Sequence, residues 1–157
     1  MSTFLRPGVL ASVTVVFDLD GTLVDTAPDL LRALHETLDL EAIPHAPAAA
    51  LRQLVGQGAR ALIARGAGLQ GVRFSDQRLD ELTEAFIRFY RADIARNSRP
   101  FPGVEDALIQ LAGAGAKLAV CTNKRTDLAV ALLTALRMER RFSAIVGADA
   151  VPQQKPH

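Results

Sequence analysis

The sequence predicts an α/β fold: a parallel sheet whose first strand is followed by an all-helical insertion before the sheet resumes. Two observations predict it. Three short apolar runs, "VTVVF" ending at Phe17, "KLAVC" ending at Cys121 and "SAIVGA" ending at Ala148, lack the polar alternation of a half-exposed strand. That is the pattern of parallel strands covered on both faces. Between the first run and the second, from about Thr26 to Arg96, the apolar residues keep helical spacing and no strand pattern occurs.

Taken in order, Val13–Phe17 is rich in β-branched residues, and only Thr14 interrupts its apolar character. "TAPD" then resembles a capping box, with Thr26 as N-cap, Pro28 in the first turn and Asp29 near the positive helix end. Ala27, Leu30, Leu31, Leu34 and Leu38 share one face of the next helix. Ala48–Val55 and Ala59–Arg65 read as short helices broken at "GQG", and "GAGLQG" ends the second. Asp76–Arg96 reads as a longer helix, with Leu79, Leu82, Phe86, Phe89 and Tyr90 at helical spacing. After "NSRPFPG" the pattern changes. An amphipathic helix around Leu108 and Leu111 is closed by Gly113 and Gly115, and Arg125–Leu136 forms another, with Leu128, Leu132 and Leu136 on one face. Strand and helix alternate from here on, as crossover connections of a parallel sheet require.

With 157 residues, 49% hydrophobic and 22% charged, the chain has the composition of a globular protein. Its 18 basic and 17 acidic residues leave a net charge of +1, which gives no electrostatic case for nucleic acid or an acidic membrane surface. No apolar run approaches the roughly 18 residues of a membrane span, and the N-terminus lacks the long apolar core of a signal peptide. The single cysteine, Cys121, reads as a core residue and fits a reducing compartment. The cytoplasm is the expected location.

In a sheet of this kind ligands bind beyond the carboxyl ends of the strands. Asp18 and Asp20 come after the first strand, Thr122 and Asn123 after the second, and "GADAVPQQKPH", which holds Lys155, after the third. Two carboxylates, a hydroxyl and an ammonium at one edge suit a phosphoryl group and a hard metal ion. An Asp-x-Asp-Gly run also occurs in calcium loops. Those loops want glycine at the sixth position, and counting from Asp18 that position is Leu23. "GQGARA" matches a dinucleotide fingerprint, but it comes after a helical stretch and not a strand. His35, His45 and His157 have no metal-ligand spacing and read as surface residues, as does the pair Arg140–Arg141.

"FDLDGTLVDT", "VCTNK" and "QKPH" resemble the first three motifs of the haloacid dehalogenase superfamily of phosphohydrolases. "DLDGTLVDTAPDL", "VGQGARALI" and "PFPGV" are most similar to its phosphoglycolate phosphatases. The resemblance implies a Rossmann-like core formed by 1–23 and 97–157, with a helical cap at 24–96. It implies Asp18 as the nucleophile that forms an aspartyl-phosphate, and Asp20 as the acid and base. The Asp18 carboxylate and the Asp20 carbonyl would ligate Mg²⁺. Thr122, Asn123 and Lys155 would bind phosphoryl oxygens, helped by backbone N–H groups near Gly21. Gly56, Gln57, Gly58 and Arg60 would contribute cap contacts to a small phosphorylated metabolite, with 2-phosphoglycolate expected. A phosphosugar phosphatase and a β-phosphoglucomutase-like enzyme share these residues. A catalytically incomplete binding or assembly module is a reading from a different class.

The superfamily pattern includes a fourth motif, an acidic cluster after a further strand that completes the Mg²⁺ site. Nothing between Lys155 and His157 supplies it. The expectation is therefore a fragment of a longer gene product, or a short form paired with another subunit. The C-terminal part of its core would be missing, Val13–Phe17 would be an exposed apolar edge, and the chain alone would hydrolyse esters poorly.

Overall fold

A computed structural model describes residues 5–153 and Lys155. In chain order the elements are β1 (Thr14–Phe17), β2 (Val24–Asp25), α1 (Ala27–Asp39), α2 (Ala48–Arg52), α3 (Ala59–Gly68), α4 (Asp76–Ala92), β3 (Arg99–Pro100), α5 (Val104–Gly113), β4 (Lys117–Cys121), α6 (Thr126–Ala135) and β5 (Ala144–Val146). They divide into two compact units. One is formed by the residues up to Asp25 with those from Arg99 onward, and the other spans Thr26–Ser98.

The first unit is α/β. Strands β1, β4 and β5 form a parallel sheet in the order β1-β4-β5, with Val15 opposite Leu118 and Val120 opposite Ile145. The central strand β4 buries Leu118, Ala119 and Val120, and Leu108 of α5 and Leu128, Leu132 and Leu133 of α6 are buried with them. Burial of each such leucine contributes about 1.5–3 kcal/mol. Only β4 flanks β1 among the described residues, so β1 is an edge strand, and the expected covering of its apolar run on both faces is not found. Its residues alternate between exposed and half-buried, and Val16 is 58% exposed. This is the open edge expected for Val13–Phe17. Cys121, at the end of β4, is a free and half-buried thiol and not a core residue. A second, two-residue ladder pairs Val24 with Pro100 and Asp25 with Arg99 in antiparallel fashion. Arg141, in a short 3-10 turn, pairs with Glu105.

The second unit is all-helical. Helix α1 packs against α3 and α4. Leu34, Leu38, Leu62, Ile63, Leu82, Phe86 and Tyr90 are buried, and the Phe86 and Tyr90 rings lie 6.2 Å apart. Two expectations are corrected here. The helix expected to reach Arg96 ends at Ala92, because Asp93 leaves the helical conformation at φ −149° and ψ 56°. The capping box does not form. Thr26 adopts φ −95° and ψ −6° instead of extended backbone, and its side chain makes no cap bond. Asp29 is fully buried and holds the far end of the unit: it accepts from the Asn97 N–H at 2.9 Å, the Ser98 N–H at 2.7 Å and the Ser98 hydroxyl at 2.6 Å. No described helix is long and apolar enough to cross a membrane.

Candidate active site

Parallel pairing delivers the C-terminal ends of the strands to one edge. Phe17 stands opposite Val120 and Cys121 opposite Val146, so the chain leaves β1 at Asp18, β4 at Thr122 and β5 at Gly147 on the same side. Polar side chains gather there from positions far apart in sequence.

The Asp18 carboxylate accepts from the Lys155 ammonium at 2.8 Å, and both side chains are about one-third exposed, 38% and 32%. Asp20 meets a different cation. Its Oδ1 lies 3.1 Å from Nζ of Lys124, and each of these side chains is only 5% exposed. Asn123, between Thr122 and Lys124, reaches the backbone of Lys155: its Oδ1 accepts from the Lys155 N–H at 2.9 Å, and its Nδ2 donates to the Lys155 carbonyl at 3.3 Å. It thereby acts as a clamp on Lys155, which the expectation of a direct phosphate contact did not include. Thr122 is buried, and its Oγ1 accepts from the Lys124 N–H at 3.1 Å. Gly21 takes a left-handed φ of +78°, open to glycine at no steric cost, and donates its N–H to the Val24 carbonyl at 2.9 Å. That bond closes the turn after β1.

Gly147 explains how the strand ends come so close. A methyl group on its Cα would stand 2.3 Å from the Thr126 nitrogen and 2.6 Å from the Lys124 carbonyl oxygen. Two further contacts fasten this crossing. The Ala148 N–H donates to the Lys124 carbonyl at 2.9 Å, and Asp149 accepts from both the N–H and the hydroxyl of Thr126 at 2.7 Å. Asp149 thus caps the start of α6 from outside the helix. Those two donors, backbone first, hold its carboxyl below the ordinary aspartate value.

The other expected site residues lie in the helical unit. Gly56 and Gly58 flank Gln57, and Gly58 is the N-cap of α3. Arg60 donates to Asp76 at 2.8 Å and to Asp80 at 3.0 Å, and these bonds raise its pKa above the ordinary arginine value. His35 and His45 stack at 3.9 Å, and His45 bonds to Asp39 at 2.8 Å, so they form a pair and are not two separate surface residues. Burial, and then His45, lower the His35 pKa, against a smaller opposing pull from Asp39. Gln154, Pro156 and His157 of the "QKPH" stretch lie outside the described residues.

No cluster of three or more His, Cys, Asp or Glu able to hold a metal occurs among the described residues. The donors at the end of β1 nevertheless suit a hard cation that keeps much of its water. The Asp18 carboxylate is partly exposed, and the chain turns at Asp20 with a carbonyl two residues on. Mg²⁺ is commonly held by one or two carboxylates with substrate phosphates completing its shell.

Sequence reasoning missed Lys124, Gly147 and Asp149. Lys124 belongs to the quoted "VCTNK" run, but a lysine past a strand end defaults to solvent. Glycine directly after an apolar strand was an available signal of close backbone approach.

Comparison with known proteins gives a consistent pattern. The model of the family described as haloacid dehalogenase-like hydrolase matches residues 15–157. A phosphoglycolate phosphatase of Caulobacter vibrioides is 49% identical over 147 residues, covering 94% of this chain and 62% of the relative. One from Agrobacterium fabrum is 44% identical over 145 residues, covering 92% and 62%. A crystal structure described as a predicted phosphoglycolate phosphatase from Haemophilus somnus 129pt is 30% identical, with a TM-score of 0.82, over 92% of this chain and 66% of that one. The chain spans about 62% of the length of the curated relatives it matches.

Proposed function

From the premise that the chain belongs to the haloacid dehalogenase-like hydrolase family, we propose that it carries the phosphoryl-transfer site of a phosphomonoester hydrolase, with 2-phosphoglycolate as substrate. One observation carries the reading. Two carboxylates two residues apart leave the end of β1, and each faces its own ammonium, at 2.8 Å for Asp18 and 3.1 Å for Asp20. Lysines so placed lower the repulsion between a carboxylate and an approaching phosphate dianion. The names of the relatives support the choice of substrate.

An Asp18 oxygen attacks phosphorus, the bond from phosphorus to the ester oxygen breaks, and its electron pair leaves on the alkoxide. Asp20 gives that alkoxide a proton, then takes one from the water that attacks the aspartyl-phosphate. Phosphate departs and Asp18 is regenerated. Lys155, clamped by Asn123, stays beside the oxygens that gain charge, and Thr122 offers a hydroxyl to them. The Asp18 carboxylate and Asp20 carbonyl would hold Mg²⁺, which supplies charge neutralisation on the transferring group when bound. The helical unit serves as the cap that selects the organic part of the substrate, with Gly56, Gln57 and Gly58 as its contacts. Arg60, engaged by Asp76 and Asp80, orders that segment. The reaction belongs in the cytoplasm.

The test is Mg²⁺-dependent phosphate release from 2-phosphoglycolate by the natural gene product that carries residues 1–157. Asp18→Asn is expected to abolish it. A near-normal rate in that variant would remove Asp18 as nucleophile.

A further inference from the structure

Lys124 is a cation of the site to which the phosphoryl-transfer reading gives no task beyond lowering charge repulsion. Its surroundings are those of a built part and not of a stray surface lysine. The side chain is 5% exposed and ends 3.1 Å from Asp20 Oδ1. Its backbone is fixed from both sides, the N–H on Thr122 Oγ1 at 3.1 Å and the carbonyl under the Ala148 N–H at 2.9 Å, with Gly147 admitting the close approach. An ammonium withdrawn from water is costly unless an opposite charge meets it. A lysine anchored in its backbone, with its ammonium buried against a carboxylate, restrains the position of that carboxylate.

We propose that Lys124 is a positioning residue for Asp20: it holds the proton-handling carboxylate in one orientation beside Asp18, so that the same oxygen serves first the leaving group and then the attacking water. The inference rests on the phosphatase reading. It divides the two lysines by role. Lys155 faces the half-open nucleophile, where a phosphoryl group must enter, and Lys124 faces the buried acid and base, which must not wander. Loss of orientation of a catalytic group by about 1 Å can cost on the order of 10²-fold in rate.

The experiment compares two esters. An alkyl phosphate, 2-phosphoglycolate, needs a proton on its leaving oxygen, whereas p-nitrophenyl phosphate leaves well without one. In the natural gene product, Lys124→Met is expected to lower kcat/KM, which reports the steps up to departure of the leaving group, about 10²-fold on the alkyl ester and far less on the aryl ester. Asp20→Asn is expected to show the same split, and the double variant to be no slower than Asp20→Asn alone. Equal losses of kcat/KM on both esters would overturn the proposal, as would a raised KM on the alkyl ester with unchanged kcat, which would make Lys124 a substrate ligand. Wild-type protein inactive on both esters would overturn the phosphatase reading and this role with it, a result distinct from either. Should Lys124→Met fail to fold, Lys124→Arg keeps a cation near Asp20 and is expected to show the split in milder form. Equal loss there overturns the proposal as well.

Discussion

Asp18 and Asp20 are separated by one residue, yet the two ion pairs they form sit in opposite surroundings. The Lys155–Asp18 pair is about one-third exposed and belongs to a segment held through Asn123, whereas the Lys124–Asp20 pair is almost wholly buried between fixed backbones. Leu19 between them is fully buried. The difference teaches what each pair is for. An exposed pair contributes little and is exchanged readily for another partner. A buried pair contributes little when intact but is costly to break, because the remaining charge has no water. The first suits a position where substrate must displace a contact, the second a position that must stay put.

That contrast can be broken by measurement. Lys124→Met leaves the Asp20 carboxylate buried without its ammonium and is expected to cost about 3–5 kcal/mol of stability, read by urea unfolding. Asp20→Asn in the same chain should restore part of the loss, and a cost near zero would deny that the pair is buried in solution. Gly147→Ala drives a methyl into the backbone at Thr126 and Lys124. An expected loss of about 1–3 kcal/mol accompanies that overpacking, and unchanged stability would show that the crossing is looser than described. Lys155→Ala is expected to change stability by less than about 1 kcal/mol while sharply reducing turnover. A large loss of stability would erase the contrast.

The smallest effect concerns pH. Asp149 has its carboxyl lowered by Thr126 from the ordinary value of 3.8, so the native state binds the proton less readily than the unfolded chain. The stability this contributes is present above pH 3.8 and is lost as pH falls through the lower folded value. Asp149→Asn is expected to flatten the acid limb of a stability–pH curve. An unchanged limb would remove the cap at the start of α6 as a support of the Lys124 loop.

Much of this was legible in the sequence because it depends on strong local patterns. Short apolar runs without polar alternation marked β1, β4 and β5. Parallel strands bring their carboxyl ends to one edge, which is why Asp18, Thr122 and Lys155 fall together. The features that were not legible depend on partners distant in sequence. The β2–β3 ladder is two residues long on each side, too short for any period, and one member is Pro100. Thr26 and Asp29 have the residue types of a capping box, but Asp29 is drawn instead to Asn97 and Ser98. Nothing in "VCTNK" reveals that Asn123 bonds to the backbone of Lys155. Lys124 was passed over for the commonest reason: burial of a lysine is decided by a carboxylate on another strand end.

The most direct measurement is rapid acid quench of the natural gene product during turnover of 2-phosphoglycolate with Mg²⁺, followed by peptide mapping by mass spectrometry. The account predicts phosphate on the peptide containing Asp18, and none there in Asp18→Asn. Turnover with the Asp18 peptide unmodified and phosphate carried on another residue would contradict it.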